Sequence, residues 1–427
     1  MAIRQQLIWD QKEHKYIGFC DYGNNVNLEN KDTEATEALV FMLTSLKGIW
    51  KWPIAYFFKH AMSAVTLAEL IKTAFILTAE AGLRIRAVTC DGDSSNCSAL
   101  KILGANIFDT DYKNINNSFP HVTMKYKVRV LLDPCHMLKL ARNAIADYKE
   151  FKIENEGLIK WQYITELHDL QNKLTFKFKN RLSSQCVQWK QNKMKVKYAA
   201  HTLSSSVANA IQFLKEEGIA EFKDSDHTIK FIKIIDRLFD FLNSRNPFGK
   251  GYKKPIFQHE LPYLKNMVNE HIKYLFLLQN KKGKPLHKSE RKTFIYGFTV
   301  AAQSVLDVAE ELFKENKSYK YLLTYKFSQD HVELLFSKIR SRHGHNNNPN
   351  VFQFKNAMRQ LLLHNDIKHS ENANCSKFDA DSSGCIFQFQ WNKRKKIYVM
   401  ILIITMKAKM KAKMNYVFVV QYLRLQS

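Results

Sequence analysis

The chain has 427 residues, enough for two or three packed domains at roughly 100–200 residues each. Its 65 Lys and Arg against 40 Asp and Glu give a formal net charge of +25, a balance that points to a polyanionic partner, nucleic acid first, with a merely basic surface as the plain alternative. Seven cysteines without a CxxC pair argue against a disulfide framework and against a zinc finger; MAIRQQLIWDQKEHKYIG lacks the apolar region of a secretory signal, and the longest apolar run, YVMILIIT at 398–405, is far below the roughly 18 residues of a membrane helix. A soluble protein with reduced thiols and no membrane partner is expected.

In chain order, Tyr16–Tyr22, Ala38–Leu46 and Trp52–Phe58, with Pro53 near its start, read as three strands of a meander. Met62–Ala81 has helical spacing of apolar residues and ends at Gly82. Ile85–Cys90 is a compact strand running into Asp91, Ser95–Leu103 a helix closed by Gly104, and Val128–Leu132 a buried strand before a helix over His136–Ile145. Alternation of this kind predicts an α/β unit. From 141 to 320 helical periodicity dominates and Lys is abundant, the pattern of a helical insertion. The final stretch interleaves basic and apolar letters, as in KAKMKAKM at 407–414, without helix start or stop signals; a basic arm and a translated intron or frameshifted tail are both compatible with it, the second favoured.

Two acidic positions carry chemistry. Asp91, in TCDGDSSN, leaves a buried strand at a sheet end, although Asp93, Ser94 and Ser95 nearby make a helix cap the ordinary reading. In SQDHVELLFSKIRS, Val332, Leu335, Phe336 and Ile339 define one buried helix face and Asp330, Glu333, Ser337 and Arg340 lie on another, which on pattern alone is a solvated face. Packed beside the strand ending at Asp91, such a helix would bring Glu333 to a site for hard Mg²⁺ ions. Phosphodiester cleavage by two metals roughly 3.5–4 Å apart needs a third carboxylate.

Read together, IGFCDYG, LKGIWKWPIAYFF, VTCDGDSSN, LLDPCHMLKLARN and FSQDHVELLFSKIRSRHG resemble, in order and out to about residue 370, the P element transposases and their THAP-domain relatives. The resemblance implies an RNase H-like core, a mixed sheet with flanking helices, interrupted by a mostly helical GTP-binding insertion. Residues 1–140 would be the first part of that core, 141–320 the insertion, 321–370 its C-terminal helices and 371–427 an irregular basic tail. It assigns Asp91 and Glu333 as the second and third members of an Asp-Asp-Glu triad, with Asp330 as a further Mg²⁺ contact. The family's first Asp precedes the point where this chain begins, so its first strand is expected to be truncated and the THAP finger missing; Asp21 ends a strand but aligns with the following one. His136, with Asp133 before it, falls in a recurrent family motif, where the resemblance implies a role in supporting the active site and a structural role reads equally well from the sequence.

For the insertion the resemblance places Lys177, Lys195, Val196, Ser204, Phe239, Asp240, Asn243 and Asp330 at the GTP site. No GxxxxGK[ST] is present, so a P-loop is not expected. Lys177 and Lys195 would offset phosphate charge, Phe239 would stack, and Asp240 would accept both guanine N–H groups. Each also has an ordinary reading, KMKVK as a solvated strip and RLFDFLN as a core helix, and the resemblance tips the balance mainly for Asp240 and Lys177. The implied ancestral function is Mg²⁺-dependent, GTP-assisted cleavage and strand transfer of DNA, acting on transposon ends and target in the nucleus, with room for a homo-oligomer. Without the first Asp the chain is expected to be inactive. The alternatives are a domesticated DNA- or GTP-binding protein without catalysis and a pseudogene product.

Overall fold

The computed structural model describes residues 1–11, 14–23, 32–48, 50–153, 157–316, 318–342, 344, 346–364 and 417–422. The chain divides into two compact units, one formed by residues 1–105, 118–130 and those from 326 onward, the other by 106–117 and 131–325. Each has its own secondary structure and core.

The first unit opens with a hairpin of β1 (Ile8–Asp10) and β2 (Lys15–Ile17), paired Ile8 to Ile17 and Asp10 to Lys15. The expected strand Tyr16–Tyr22 is therefore a correction: it stops at Ile17 and belongs to a separate two-stranded sheet. The reason lies at Gly18, where φ is +129° and a Cβ would stand 2.4 Å from the Gln6 carbonyl oxygen, so the chain turns out of the strand at a position only glycine fits. Beyond it Asp21 exchanges backbone hydrogen bonds with Phe58 (2.8 and 3.1 Å) at the rim of the main sheet.

That sheet begins with β3 (Glu37–Ser45) and β4 (Lys51–Lys59), antiparallel from Glu37–Lys59 to Thr44–Lys51. Helix α1 (Ala64–Glu80) starts at Ser63, whose Oγ accepts from the Thr66 N–H at 3.0 Å, and β5 (Arg84–Cys90) follows. Next come α2 (Ser94–Leu103), closed at Gly104, then β6 (Ser118–Pro120) and β7 (Lys127–Leu132).

The second unit holds α3 (Pro134–Tyr148), whose N-terminus is capped by Asp133 through the His136 N–H at 2.8 Å. A three-stranded sheet that the sequence did not announce follows, with β8 (Glu150–Ile153) between β9 (Gly157–Lys160) and β10 (Leu278–Asn280). Between β9 and β10 run α4 (Gln162–Lys173), α5 (Ser184–Val187), α6 (Val196–Thr202), α7 (Ser205–Glu216), α8 (Asp226–Leu242) and α9 (Leu261–Leu277); α10 (Thr293–Glu315) comes after β10. Helix α10 is buried along most of its length and packs on α3 at Gly297, where a Cβ would meet the Met137 Sδ at 1.9 Å. Met137 is itself fully buried, so Gly297→Val is expected to destabilise this unit by about 1–3 kcal/mol through overpacking, read as a lowered midpoint of chemical denaturation.

The first unit resumes with α11 (Asp330–Ser341) and α12 (Val351–His364) and ends with β11 (Val417–Tyr422). The main sheet thus has the order β4-β3-β11-β5-β7-β6. The expected α11 face holds: Val332, Leu335, Phe336 and Ile339 are all fully buried and join Ala38, Val40 and Met42 of β3 with Phe354, Ala357 and Met358 of α12 in one cluster. Within the stretch expected as an irregular basic tail, Val417–Tyr422 is instead a strand inside this sheet; the apolar run at 398–405 and the basic runs at 393–396 and 407–414 lie outside the described residues. Cys20, Cys90, Cys97, Cys135 and Cys186 are buried free thiols, and Cys375 and Cys385 lie outside the described residues. Among the described residues no helix is long and apolar enough to cross a membrane.

Candidate functional site

In the first unit, Asp91 leaves β5 at the end of a run from Ile85 to Cys90 that is almost wholly buried, and is itself 5% exposed. The capping role that competed for it is taken by Asp93, whose carboxylate accepts from the Ser95 N–H at 3.2 Å and the Ser95 hydroxyl at 2.5 Å. Asp91 is left at the sheet end, where its Oδ1 accepts from the Asn96 amide at 2.5 Å and the Asp93 N–H at 3.3 Å. Asn96 was not singled out from sequence; its place in the first turn of a helix capped by Asp93 was the available signal.

Glu333 is half-buried in the first turn of α11, with Asp330 at the first position of the same helix and 6% exposed. Helix α11 lies along β3: Lys326, just before it, donates to the Ser45 carbonyl at 2.9 Å, while Arg340 near its other end shares an electrostatic neighbourhood with the Met1 amine, which donates to the Ala38 carbonyl. Burial lowers the Arg340 pKa and the Glu333 carboxylate opposes that shift. Asp91 and Glu333 therefore belong to one unit, on a strand and on a helix that packs against the same sheet. Among the described residues no three His, Cys, Asp or Glu side chains converge as a metal-binding group.

Asp21 stands apart from Asp91. It pairs with the free edge of β4, so β4, β3 and β11 separate it from β5, roughly 19 Å at about 4.8 Å per strand spacing. Its carboxylate is 58% exposed and lies 4.0 Å from Lys355, so it is a rim residue.

In the second unit the residues expected around a nucleotide lie on α6, α7 and α8 and on the stretch before α5. Ser204 caps α7, accepting from the Val207 N–H at 3.4 Å while donating to the His201 carbonyl at 3.0 Å. The next residue, Ser205, donates to the Asp236 carboxylate of α8 through its N–H (2.9 Å) and hydroxyl (2.5 Å), which ties the start of α7 to α8. One helical turn further along α8, roughly 6 Å, is Asp240. Burial pushes its carboxyl up to about 6, the Asp236 charge adds to the rise, and Lys253, 3.5 Å away, opposes it. Asn243 ends α8 and accepts from Arg245 at 3.1 Å, whereas Phe239 is buried, consistent with the core-helix reading of RLFDFLN.

Lys177 and Lys195 are exposed, and Val196 opens α6. The His201 pKa is lowered by burial, then by Lys197 and Arg181, with Lys177 adding a smaller share; a basic group thus surrounds α6 while the acids lie on α8. Asp236, Lys253, Arg181 and Lys197 were missed from sequence. Asp236 precedes Asp240 by one turn, a signal that was legible, while Lys253 sat in the GKGYKK stretch read only as a loop. Asp330, expected at this same site, belongs to the first unit.

An acid-bearing mixed sheet flanked by helices, with a separate unit threaded into its sequence, defines the class as an RNase H-like protein with an insertion domain. The TNP-like family accounts for all three parts: its RNase H N-terminal domain matches residues 1–104, its GTP-binding insertion domain residues 135–255 and its RNase H C-terminal domain residues 325–359. The chain belongs to this family of P element-type transposases.

It is 29% identical over 363 residues to the human DNA transposase THAP9, an alignment covering 84% of this chain and 40% of that protein. It is 24% identical over 362 residues to the Drosophila melanogaster transposable element P transposase, covering 82% of this chain and 44% of that one. The chain thus spans well under half the length of these relatives. The Drosophila P element transposase strand transfer complex has a similar fold, with a TM-score of 0.70 at 23% identity over 85% of this chain and 75% of that one.

Proposed function

We propose that the chain binds DNA through its RNase H-like unit and a guanine nucleotide through its insertion, the two activities of a P element-type transposase that precede strand cleavage. The observation that carries the reading is Asp91 at the end of a buried strand, relieved of helix capping by Asp93, in a unit that also bears Glu333. Two carboxylates with Asp330 nearby on the helix are the hard-oxygen type of donor that Mg²⁺ takes. They fall short of a three-carboxylate centre among the described residues, so no cleavage step is assigned to them. As a transposase-family protein acting on transposon ends and target DNA, it would reside in the nucleus, and the reading extends to the domesticated, non-catalytic alternative.

In the insertion, Lys177 and Lys195 face the phosphates, Ser204 and Val196 line the way to α8, and Asp240 accepts the guanine N–H groups with Phe239 and Asn243 beside it. GTP is the cofactor of choice because an ionised carboxylate pairs with the two N–H donors of guanine, and adenine offers no such pair.

The test is duplex binding as a function of salt, with cleavage measured in parallel in Mg²⁺. With a net charge of +25, log affinity should fall linearly with log salt, losing on the order of 10³-fold between 50 and 200 mM if about six phosphates are contacted. No nicking should accompany it. A salt-independent affinity would sink the DNA reading, and nicking that disappears with Asp91→Asn would show a complete catalytic centre.

A further inference from the structure

The strand order β4-β3-β11-β5 places Val417–Tyr422 in the middle of the main sheet. It is antiparallel to β3, from Phe418–Ser45 to Tyr422–Phe41, and parallel to β5, from Val417–Arg84 to Gln421–Thr89. Both neighbours are core strands: Val40, Phe41, Met42 and Leu43 on one side and Ile85, Ala87 and Val88 on the other are fully buried. Their facing edges carry backbone N–H and C=O groups that water cannot reach, and such groups are nearly always paired in folded proteins. The position must be occupied for this unit to be stable, and the occupant is supplied from far along the chain.

We propose that the groove between β3 and β5 is a strand-acceptor site held by the chain's own Val417–Tyr422, and that this occupant closes the sheet without delivering a carboxylate beside Asp91. Being parallel to β5, β11 runs toward the end where β5 continues through Cys90 to Asp91. The sequence from Val417 to Ser427, VFVVQYLRLQS, contains no Asp or Glu. A strand from any other source that docked in this groove would do so by the same backbone pairing, and one with an acidic residue at its leading end would bring that residue to Asp91's level. Val417–Tyr422 is then a structural strand and the determinant of how many acids the sheet end carries. The claim about pairing stands apart from the proposed function; only its consequence for cleavage rests on that reading.

The full-length chain tests this by oxidative cross-linking between register partners. Thr44→Cys with Val419→Cys should give an intramolecular cross-link, mapped by mass spectrometry, and Thr44→Cys with Val420→Cys, one residue out of register, should give little. In parallel, Val419→Pro with Gln421→Pro removes two N–H donors from the central strand. Hydrogen exchange over Val40–Leu43 and Ile85–Val88 should then quicken about 100-fold or more, with α8 and α10 unchanged. Equal cross-linking in both pairs, cross-links only between two copies, or unchanged exchange in the proline variant would each overturn the proposal. Because neither readout uses DNA or nucleotide, failure here leaves the binding reading intact, and loss of binding leaves the strand assignment intact.

Discussion

Asp240→Asn is expected to weaken guanine-nucleotide binding about 100-fold, since two charge-assisted hydrogen bonds together contribute roughly 3 kcal/mol or more and each 1.4 kcal/mol is a factor of ten. Binding to the unsubstituted chain should also depend on pH. The folded-state pKa of Asp240 is raised from 3.8 to about 6, chiefly by burial, so the fold favours the protonated acid. That preference stabilises the fold fully below the unfolded value near 3.8 and is lost as pH rises through about 6. Guanine needs the opposite, ionised form. Affinity should therefore be highest above pH 7 and drop about tenfold per pH unit once the solution is below 6, while Asp240→Asn loses both the affinity and this pH dependence. The substitution should leave the empty protein no less stable at neutral pH, because it removes a carboxylate that is ionised against its surroundings. Fluorescent-nucleotide titration at pH 5 to 8 reads all of this; a flat profile with full affinity in the variant would remove Asp240 from the site.

Phe336→Ala should be the most damaging single change in the first unit, costing about 3–5 kcal/mol. Phe336 is fully buried at the centre of the cluster that joins α11 to β3 and α12, so its loss leaves a cavity under the helix that presents Glu333. Against a typical domain stability of about 5–15 kcal/mol, that is a large fraction. Calorimetry should show the transition of this unit moved down by several degrees or more, with the transition of the second unit in place. A single unshifted transition would mean that the cluster does not hold α11.

Most of the first unit was legible because its signals are local. The run Arg84–Cys90 is a continuous buried strand, Ser63 and Gly104 mark helix ends, and the spacing of Val332, Leu335, Phe336 and Ile339 fixed which face of α11 is buried and hence where Glu333 stands. What sequence could not give depends on partners remote along the chain. Strands β8 and β9 are four residues each and are completed by Leu278–Asn280, more than a hundred positions away. Val417–Tyr422 has a strand-like composition, but the basic-apolar interleaving before it carried no boundary, and only its pairing with β3 and β5 reveals its place. Asp240 was singled out through resemblance. Its environment, with Asp236 held by Ser205 and Lys253 reaching back from the loop, needed the packing of α7 on α8.

The position of β11 also orders events during synthesis. The second unit is made of residues 106–117 and 131–325, so its last residue has been made by position 325. The first unit waits for its central strand until residue 422, which pairs with Phe41 across nearly the whole length of the chain. Closing so distant a contact is slow, and until it forms β3 and β5 expose unpaired apolar edges. On the ribosome the insertion folds first, and the sheet that carries Asp91 remains open longest to chaperones, to proteases and to strands of other chains.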